Sequence, residues 1–240
     1  MMPDSRLAHS LSMTALSARN LTLADYASLQ KRVQDSGTPM LWLFVGDSIT
    51  HGEEHTHGHR NYVELWQEVI KWEHGLPPHR GLRRRDIIIN SGAAGDSLMD
   101  FRKQMAWHLG QFCADVVFIN FGINDAGLRH DEEQFGIDLK RIIEAVRERE
   151  AIPVLQVPTL TRDGLTTRTT FANIVRSVAD AERVLLVDHA AYWQELSGSD
   201  EAKPEWMSDE IHPNEEGHRM MVKVLATELN LVPPYSSTIC

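Results

Sequence analysis

Short apolar segments recur along the chain, and stretches with helical spacing separate them. The apolar segments are MLWLFV at 40–45, DIIIN at 86–90, DVVFINF at 115–121, IPVLQV at 152–157 and VLLVD at 184–188. Apolar strands that alternate with helices are typical of a parallel sheet covered by helices on both faces. The pattern therefore predicts an α/β protein with five strands in one mostly parallel sheet.

Apolar residues at helical spacing predict the buried faces of the helices between these strands. One set is Tyr62, Leu65, Trp66, Val69 and Trp72, and the other is Phe135, Leu139, Ile142, Ile143 and Val146. A further helix is predicted near 22–35. A last helix is predicted to begin at Asn214, with Glu215 and Glu216 in its first turn and Met220, Met221, Val224 and Leu225 buried.

Composition favours one domain over residues 1–240, with residues 1–38 as an N-terminal leader and helix. The 240 residues are 42% hydrophobic, and no compositional break or linker divides them. The opening residues lack the features of a signal peptide, and no apolar stretch has the length of a membrane span, so we expect a cytoplasmic protein without a membrane partner. Cys113 and Cys240 form neither a disulfide framework nor a zinc motif.

The charge balance argues against nucleic acid as a partner. The formal net charge is −10, and Arg83, Arg84 and Arg85 form the only basic run. Phosphate backbones are bound by clustered Lys and Arg, which this chain lacks. We therefore expect a small-molecule partner, and nothing in the sequence indicates the oligomeric state.

Polar residues and glycines follow three of the predicted strands directly. Gly46-Asp47-Ser48 follows the first, Asn90 to Asp96 the second and Gly122-Ile123-Asn124-Asp125 the third. Ligands bind outside the carboxyl ends of the strands in an open parallel sheet, so these loops are expected to converge on a site.

Ser48 is a candidate nucleophile, because a serine at a tight strand-to-helix turn exposes its hydroxyl at the sheet edge. It would need a histidine base and a carboxylate that orients the histidine, and Asp209 and His212 stand three residues apart before the last helix. Taken alone, Gly-Asp-Ser is more typical of a plain turn than of a nucleophile. Asp209 and His212 could equally be exposed residues of a loop that precedes a helix.

Ester cleavage also requires donors for the tetrahedral oxyanion, and each one contributes about 3 to 4 kcal/mol. The side chain of Asn124 and the backbone N–H groups of Gly95 and Ser48 are the candidates.

The chain resembles the SGNH-type (GDSL) esterases and lipases through four short blocks in family order. These are Gly-Asp-Ser at 46–48, NSGAAGD at 90–96, Gly-x-Asn-Asp at 122–125 and Asp-x-x-His-Pro at 209–213, with Ile49 replacing the usual Leu. The resemblance implies a three-layer, flavodoxin-like α/β/α sandwich. It also implies Ser48 as nucleophile, His212 as base and Asp209 as its orienting acid, with an oxyanion hole from Ser48, Gly95 and Asn124. Gly92 is the alternative glycine donor, and neither a metal nor another cofactor is required.

His51, His55, His57 and His59 follow the candidate nucleophile closely. A His-rich tract can bind metal, but the spacing is not that of a helical zinc protease. These histidines are candidates for the rim of the cleft or for a solvated loop. Asp47, His51 and Trp206 are the predicted rim residues, and Trp206 could stack on a sugar. Trp193 is a weaker candidate, and both tryptophans could equally be buried in the core.

The predicted function is a serine esterase for short acyl groups, above all acetyl, on a carbohydrate or another polar alcohol. No long apolar insertion indicates a lipase lid, and the surroundings of the site are rich in His, Trp and charge. One alternative is a lysophospholipase or thioesterase for longer acyl chains. Another is a non-catalytic carbohydrate- or metal-binding module on the same fold.

Overall fold

The structure is a computed structural model that describes residues 15–35, 37–73 and 83–231. Residues 1–14 of the predicted leader, the side chain of Trp72 and Cys240 lie outside the described part. No helix within it is long and apolar enough to cross a membrane.

A five-stranded parallel sheet forms the centre of the fold, as predicted. Its strands are β1 (Leu41–Gly46), β2 (Ile87–Gly92), β3 (Val116–Asn120), β4 (Ile152–Val157) and β5 (Leu185–Asp188). Their spatial order is β2-β1-β3-β4-β5, and every neighbouring pair is parallel. The chain moves from β1 to one side for β2 and to the other for β3, so a crevice opens beyond the end of β1.

Helices cover both faces of this sheet. In chain order they are α1 (Ala15–Leu21), α2 (Ala24–Gln34), α3 (Ser48–His51), α4 (Tyr62–Glu68), α5 (Leu98–Gly110), α6 (Ile123–Gly127), α7 (Glu132–Arg147), α8 (Thr167–Glu182), α9 (His189–Ser197) and α10 (Glu215–Leu229). A π-helical turn at Val69–Glu73 continues α4, and a 3₁₀ turn occupies Pro204–Trp206. The predicted last helix begins as expected, because the Asn214 side chain accepts hydrogen bonds from Glu216 N–H and Gly217 N–H.

Two apolar cores flank the sheet. One contains Trp42, Phe44 and Phe118 from the sheet with residues of α2, α4 and α10. The other contains Leu43, Val45 and Ile119, which point the opposite way, with residues of α5, α7 and α8. Successive strand residues face opposite sides, so apolar runs with burial on both faces build the predicted three-layer α/β/α sandwich.

Three local features differ from the sequence-based picture. Residues 15–21 of the predicted leader form a helix, and its buried Asn20 donates to Leu186 O and accepts from Leu186 N–H. Ile87 is exposed because β2 is the edge strand. Cys113, which lies within an apolar stretch of sequence, is exposed and free.

Candidate active site

Ser48 is the first residue of α3, immediately beyond the end of β1. Asp47 caps this helix, because its carboxylate accepts a hydrogen bond of 3.0 Å from Ile49 N–H. A Cβ at Gly46 would lie 2.1 Å from Thr50 Oγ1 and 2.7 Å from Asn120 O. Only glycine therefore allows the turn that presents Ser48 at the edge of the sheet.

Ser48, His212 and Asp209 form a continuous hydrogen-bonded chain. Asp209 Oδ2 lies 2.8 Å from His212 Nδ1, so Nδ1 carries the proton and Nε2 is the acceptor. The Ser48 hydroxyl then donates to Nε2 over 2.9 Å. The structure thus brings Ser48 together with the pair Asp209 and His212, although Ser48 and His212 are 164 positions apart in sequence.

Asp209 is ionised and held by its own loop. Oδ1 accepts hydrogen bonds of 2.8 Å from Ile211 N–H and from His212 N–H. Burial alone would raise the pKa of Asp209, but these bonds and that of the His212 side chain outweigh it and lower the pKa. Met207 pairs with Pro213, and Ser208 N–H donates to His212 O, so the loop that carries the pair is closed on itself.

Asn124 lies in the first turn of α6 and points its amide towards the loop after β2. Its Nδ2 donates to Asp96 O over 2.9 Å, which leaves the second N–H of the amide for a substrate oxygen. Asp125 accepts from Leu98 N–H at the start of α5 and contacts His130 Nδ1 at 3.2 Å. Asp125 thereby holds α6 in place. The sequence showed Asp125 only as a member of the Gly-x-Asn-Asp block and predicted no role for it.

The geometry favours Gly95 over Gly92 as the backbone donor. Gly95 has φ of +85°, and a Cβ built on it would meet nothing within 4 Å, so the site is open there. A Cβ on Gly92 would lie 2.4 Å from His51 N, because Gly92 packs against the backbone of α3. Gly92 N–H already donates to Asn90 Oδ1 over 3.0 Å, so Gly92 supports the helix that begins at Ser48, whereas the space around Gly95 is open.

Two predicted rim residues are buried, and those predictions are wrong. Trp206 is 7% exposed and packs edge to face against Trp193 with the ring centroids 5.1 Å apart, so it offers no face to a sugar. Asp47, directly before Ser48, is 2% exposed; burial, with a smaller contribution from the charge on Asp125, raises its pKa to about 7. His51 remains a rim candidate, since its half-buried ring faces Glu53 at 3.7 Å.

The histidine-rich segment folds over the loop that carries Asp209 and His212. The ring of His55 stacks on that of His212, with the centroids 3.6 Å apart and the planes inclined by 5°. His57 Nε2 lies 3.3 Å from Ser208 Oγ in the same loop. The sequence predicted both histidines only as candidates for the rim of the cleft or for a solvated loop, because nothing local identifies a partner so distant in the chain.

Only one group of His, Cys, Asp and Glu side chains in residues 15–35, 37–73 and 83–231 has ligand atoms close enough to bind a single metal ion. The group consists of His55, Asp209 and His212, whose ligand atoms all lie within 4.8 Å of one another. Their geometry does not suit coordination. A metal ion bound to both parallel rings, whose centroids are 3.6 Å apart, would lie about 1.8 Å out of each ring plane. The nitrogen lone pair lies in the ring plane, and a Zn–N bond is only about 2.0 to 2.1 Å long, so such a position does not allow a normal bond to either ring. The arrangement fits proton transfer better.

A cavity of about 400 Å³ lies over the ends of β4 and β5, and none of Ser48, Asn124, Asp209 and His212 lines it. Gly122 and Ile123, which directly precede Asn124, line it together with Thr159, Arg168 and Gln194. Thr159 is 4% exposed, and its hydroxyl has no hydrogen-bond partner among the described residues. Arg162 N–H donates to Glu210 O over 2.7 Å, which joins the loop lining the cavity to the loop of Asp209 and His212.

Comparison with known proteins gives a consistent result. The sequence model of the GDSL-like lipase/acylhydrolase family matches residues 44–220. An acetylxylan esterase from Geobacillus stearothermophilus superposes with a TM-score of 0.66 at 19% identity, covering 82% of this chain and 97% of its own. A protein from Desulfitobacterium hafniense DCB-2, described as lipolytic and of the G-D-S-L family, gives 0.64 at 18% identity, with 79% and 99% covered. The acetyl xylan esterase AlAXEase gives 0.64 at 21% identity, with 78% and 98% covered. No curated protein matches the chain.

Proposed function

The chain belongs to the GDSL-like lipase/acylhydrolase family and is a carboxylic ester hydrolase by class, and on this premise we propose that it removes short acyl groups, above all acetyl, from a polar alcohol such as a carbohydrate. One observation carries the proposal, the unbroken hydrogen-bonded chain from Ser48 Oγ through His212 to Asp209. Such a chain activates a hydroxyl that is otherwise a weak nucleophile.

The reaction has two steps, each with the same proton route. Ser48 Oγ attacks the ester carbonyl while His212 Nε2 takes its proton, and Asp209 stabilises the resulting imidazolium. His212 then passes the proton to the departing alcohol, which leaves an acyl group on Ser48. Water repeats the attack on this acyl-enzyme, again with His212 as base, and the acid product leaves as Ser48 regains its proton.

Hydrogen-bond donors at the carboxyl ends of the strands stabilise the oxyanion that forms in both steps. The second N–H of the Asn124 amide and the backbone N–H groups of Gly95 and Ser48 are the proposed donors. The bond from Asn124 to Asp96 O fixes the amide before substrate arrives, so little reorganisation is needed when charge develops.

The preference for a polar alcohol has two supports. Two of the similar structures are named as acetylxylan esterases. The cavity, which Gly122 and Ile123 directly before Asn124 help to line, presents threonine hydroxyls, an amide and charged groups of both signs that can bond a polyol, beside apolar side chains such as Leu160 and Ala172.

The test is a panel of aryl esters from acetate to octanoate, together with acetylated xylo-oligosaccharides, on the wild type, Ser48→Ala and Ser91→Ala. Ser91 is the matched control, because its Oγ also contacts a histidine, His108 Nδ1, at 2.8 Å. We expect turnover that is highest with acetyl esters, abolished in Ser48→Ala and retained in Ser91→Ala.

Other results would point to other functions. Rates that rise with acyl length would favour a lysophospholipase or thioesterase. Turnover retained by a clean Ser48→Ala preparation would contradict the proposal. A fluorophosphonate probe that leaves Ser48 unlabelled would favour a non-catalytic binding module, because such a module has no activated serine.

A further inference from the structure

A second histidine lies flat against the proposed base. The ring of His55 is parallel to that of His212 within 5°, and the two centroids are 3.6 Å apart. His55 Nδ1 also lies 3.6 Å from Asp209 Oδ2, the oxygen that accepts the bond from His212 Nδ1–H. This distance is too long for a hydrogen bond, so His55 contacts the pair through its ring face and its electric field.

The chain on both sides holds His55 in this position. Gly52 ends α3 in the left-handed region, and its carbonyl accepts a hydrogen bond from the buried Thr56 hydroxyl. Asn61 Nδ2 donates to His51 O on the other side of the loop. His57 adds its contact with Ser208 on the loop of the base. The ring of His55 is therefore anchored between two loops and is not a solvated side chain.

Burial and the positive charge on His212 favour a neutral His55. Burial lowers its pKa, and the charges on His212 and His57 lower it further, while Asp209 and Glu54 act in the opposite direction. A neutral ring face can stack on the His212 imidazolium that forms during catalysis, whereas two charged rings in contact would repel each other.

We propose that His55 is a positioning residue, which holds the ring plane of His212 so that Nε2 faces Ser48 and Nδ1 faces Asp209. The inference rests on the proposed function, since His55 has this role only if His212 is the base. An imidazole free to tilt would lose the 2.9 Å contact with Ser48, and a misplacement of about 1 Å can cost roughly 100-fold in rate.

The first test is the kinetics of p-nitrophenyl acetate hydrolysis by His55→Ala, His55→Phe and His59→Ala. We expect kcat of His55→Ala to fall about ten- to hundredfold at an unchanged KM, because the alignment of the base is lost and substrate binding is not. Phe keeps a flat ring of similar size, so His55→Phe should recover most of the rate. His59 is exposed in the same segment, and His59→Ala should match the wild type.

The second test follows the low-field NMR resonance of the proton between His212 Nδ1 and Asp209, which needs no substrate. We expect this resonance to persist in His55→Phe and to exchange faster with water in His55→Ala. Wild-type kcat and an unchanged resonance in His55→Ala would overturn the proposal, and so would a His55→Phe as impaired as His55→Ala. If the wild type hydrolyses no ester, the proposed function fails, whereas the resonance still reports whether His55 holds the ring.

Discussion

The Ser48 hydroxyl and His212 Nε2 lie 2.9 Å apart across 164 residues of sequence. Ser48 is held by the turn at the end of β1, and His212 by a loop closed through Met207 and Pro213. Each partner is thus held by contacts within its own loop, and such positioning is the preorganisation that proton transfer requires.

Asn124→Ala should lower kcat by about 10²- to 10³-fold with little change in KM, because the donor acts on charge that develops only in the transition state. Steady-state kinetics on p-nitrophenyl acetate would measure this effect. Asn173→Ala, on the exposed side of α8, is the control and should keep wild-type kinetics. A raised KM at an intact kcat would mean that Asn124 only binds the ground state.

Asp209→Asn should lower kcat by about 10²- to 10⁴-fold, because an amide facing His212 Nδ1 no longer fixes the tautomer or stabilises the imidazolium. The amide oxygen can still accept from the backbone of Ile211 and His212, so the loop should remain folded. Glu210→Gln, the adjacent exposed residue, serves as the control. Equal losses in both variants would indicate a general effect of the loop charge.

Asp47→Asn should raise the free energy of unfolding at pH 8 and change it little at pH 4. Burial raises the pKa of Asp47 to about 7, so the folded state binds its proton more tightly than the unfolded state does. That contribution to stability is fully present below the unfolded value near 3.8 and is lost as the pH rises through about 7. Asn stays neutral and still caps α3, and the gain at pH 8 should be on the order of 2–4 kcal/mol.

Urea unfolding at pH 4 and pH 8 would measure this gain. Asp131→Asn provides the comparison, since Asp131 is an exposed cap on α7 that accepts from Gln134 N–H. A gain of the same size in Asp131→Asn, or a gain in Asp47→Asn that does not depend on pH, would contradict the assignment.

Acid should destabilise the fold through two buried histidines. Burial lowers the pKa values of His189 and His218 to about 3, and positive charge on nearby histidines contributes in the same direction. Between about pH 6.5 and 3 the unfolded state therefore binds more protons, and stability falls with decreasing pH by up to about 1.4 kcal/mol per pH unit for each ring.

His218→Asn removes the contribution of one of these rings to the pH dependence of stability. Asn Oδ1 can replace His218 Nδ1 as the acceptor for Tyr62 N–H, and it does not titrate. The unfolding free energy of His218→Asn, measured from pH 7 to pH 4, should depend less steeply on pH than that of the wild type. His59→Asn should leave the slope as it is, because His59 is exposed; parallel curves for all three proteins would refute the prediction.

The sequence by itself determined the features that depend on local chemistry. Apolar runs predicted the five strands, because burial on both faces requires them, and the polar loops after β1, β2 and β3 indicated where the site lies. The four short blocks predicted Ser48, Asp209 and His212 as the catalytic residues through their resemblance to a family. Only the tertiary structure decided what each residue is buried against. It packed Trp206 against Trp193, buried Asp47 directly before Ser48 and stacked His55 on His212. These outcomes depend on how segments far apart in sequence pack together, and neither periodicity nor turn chemistry carries that information.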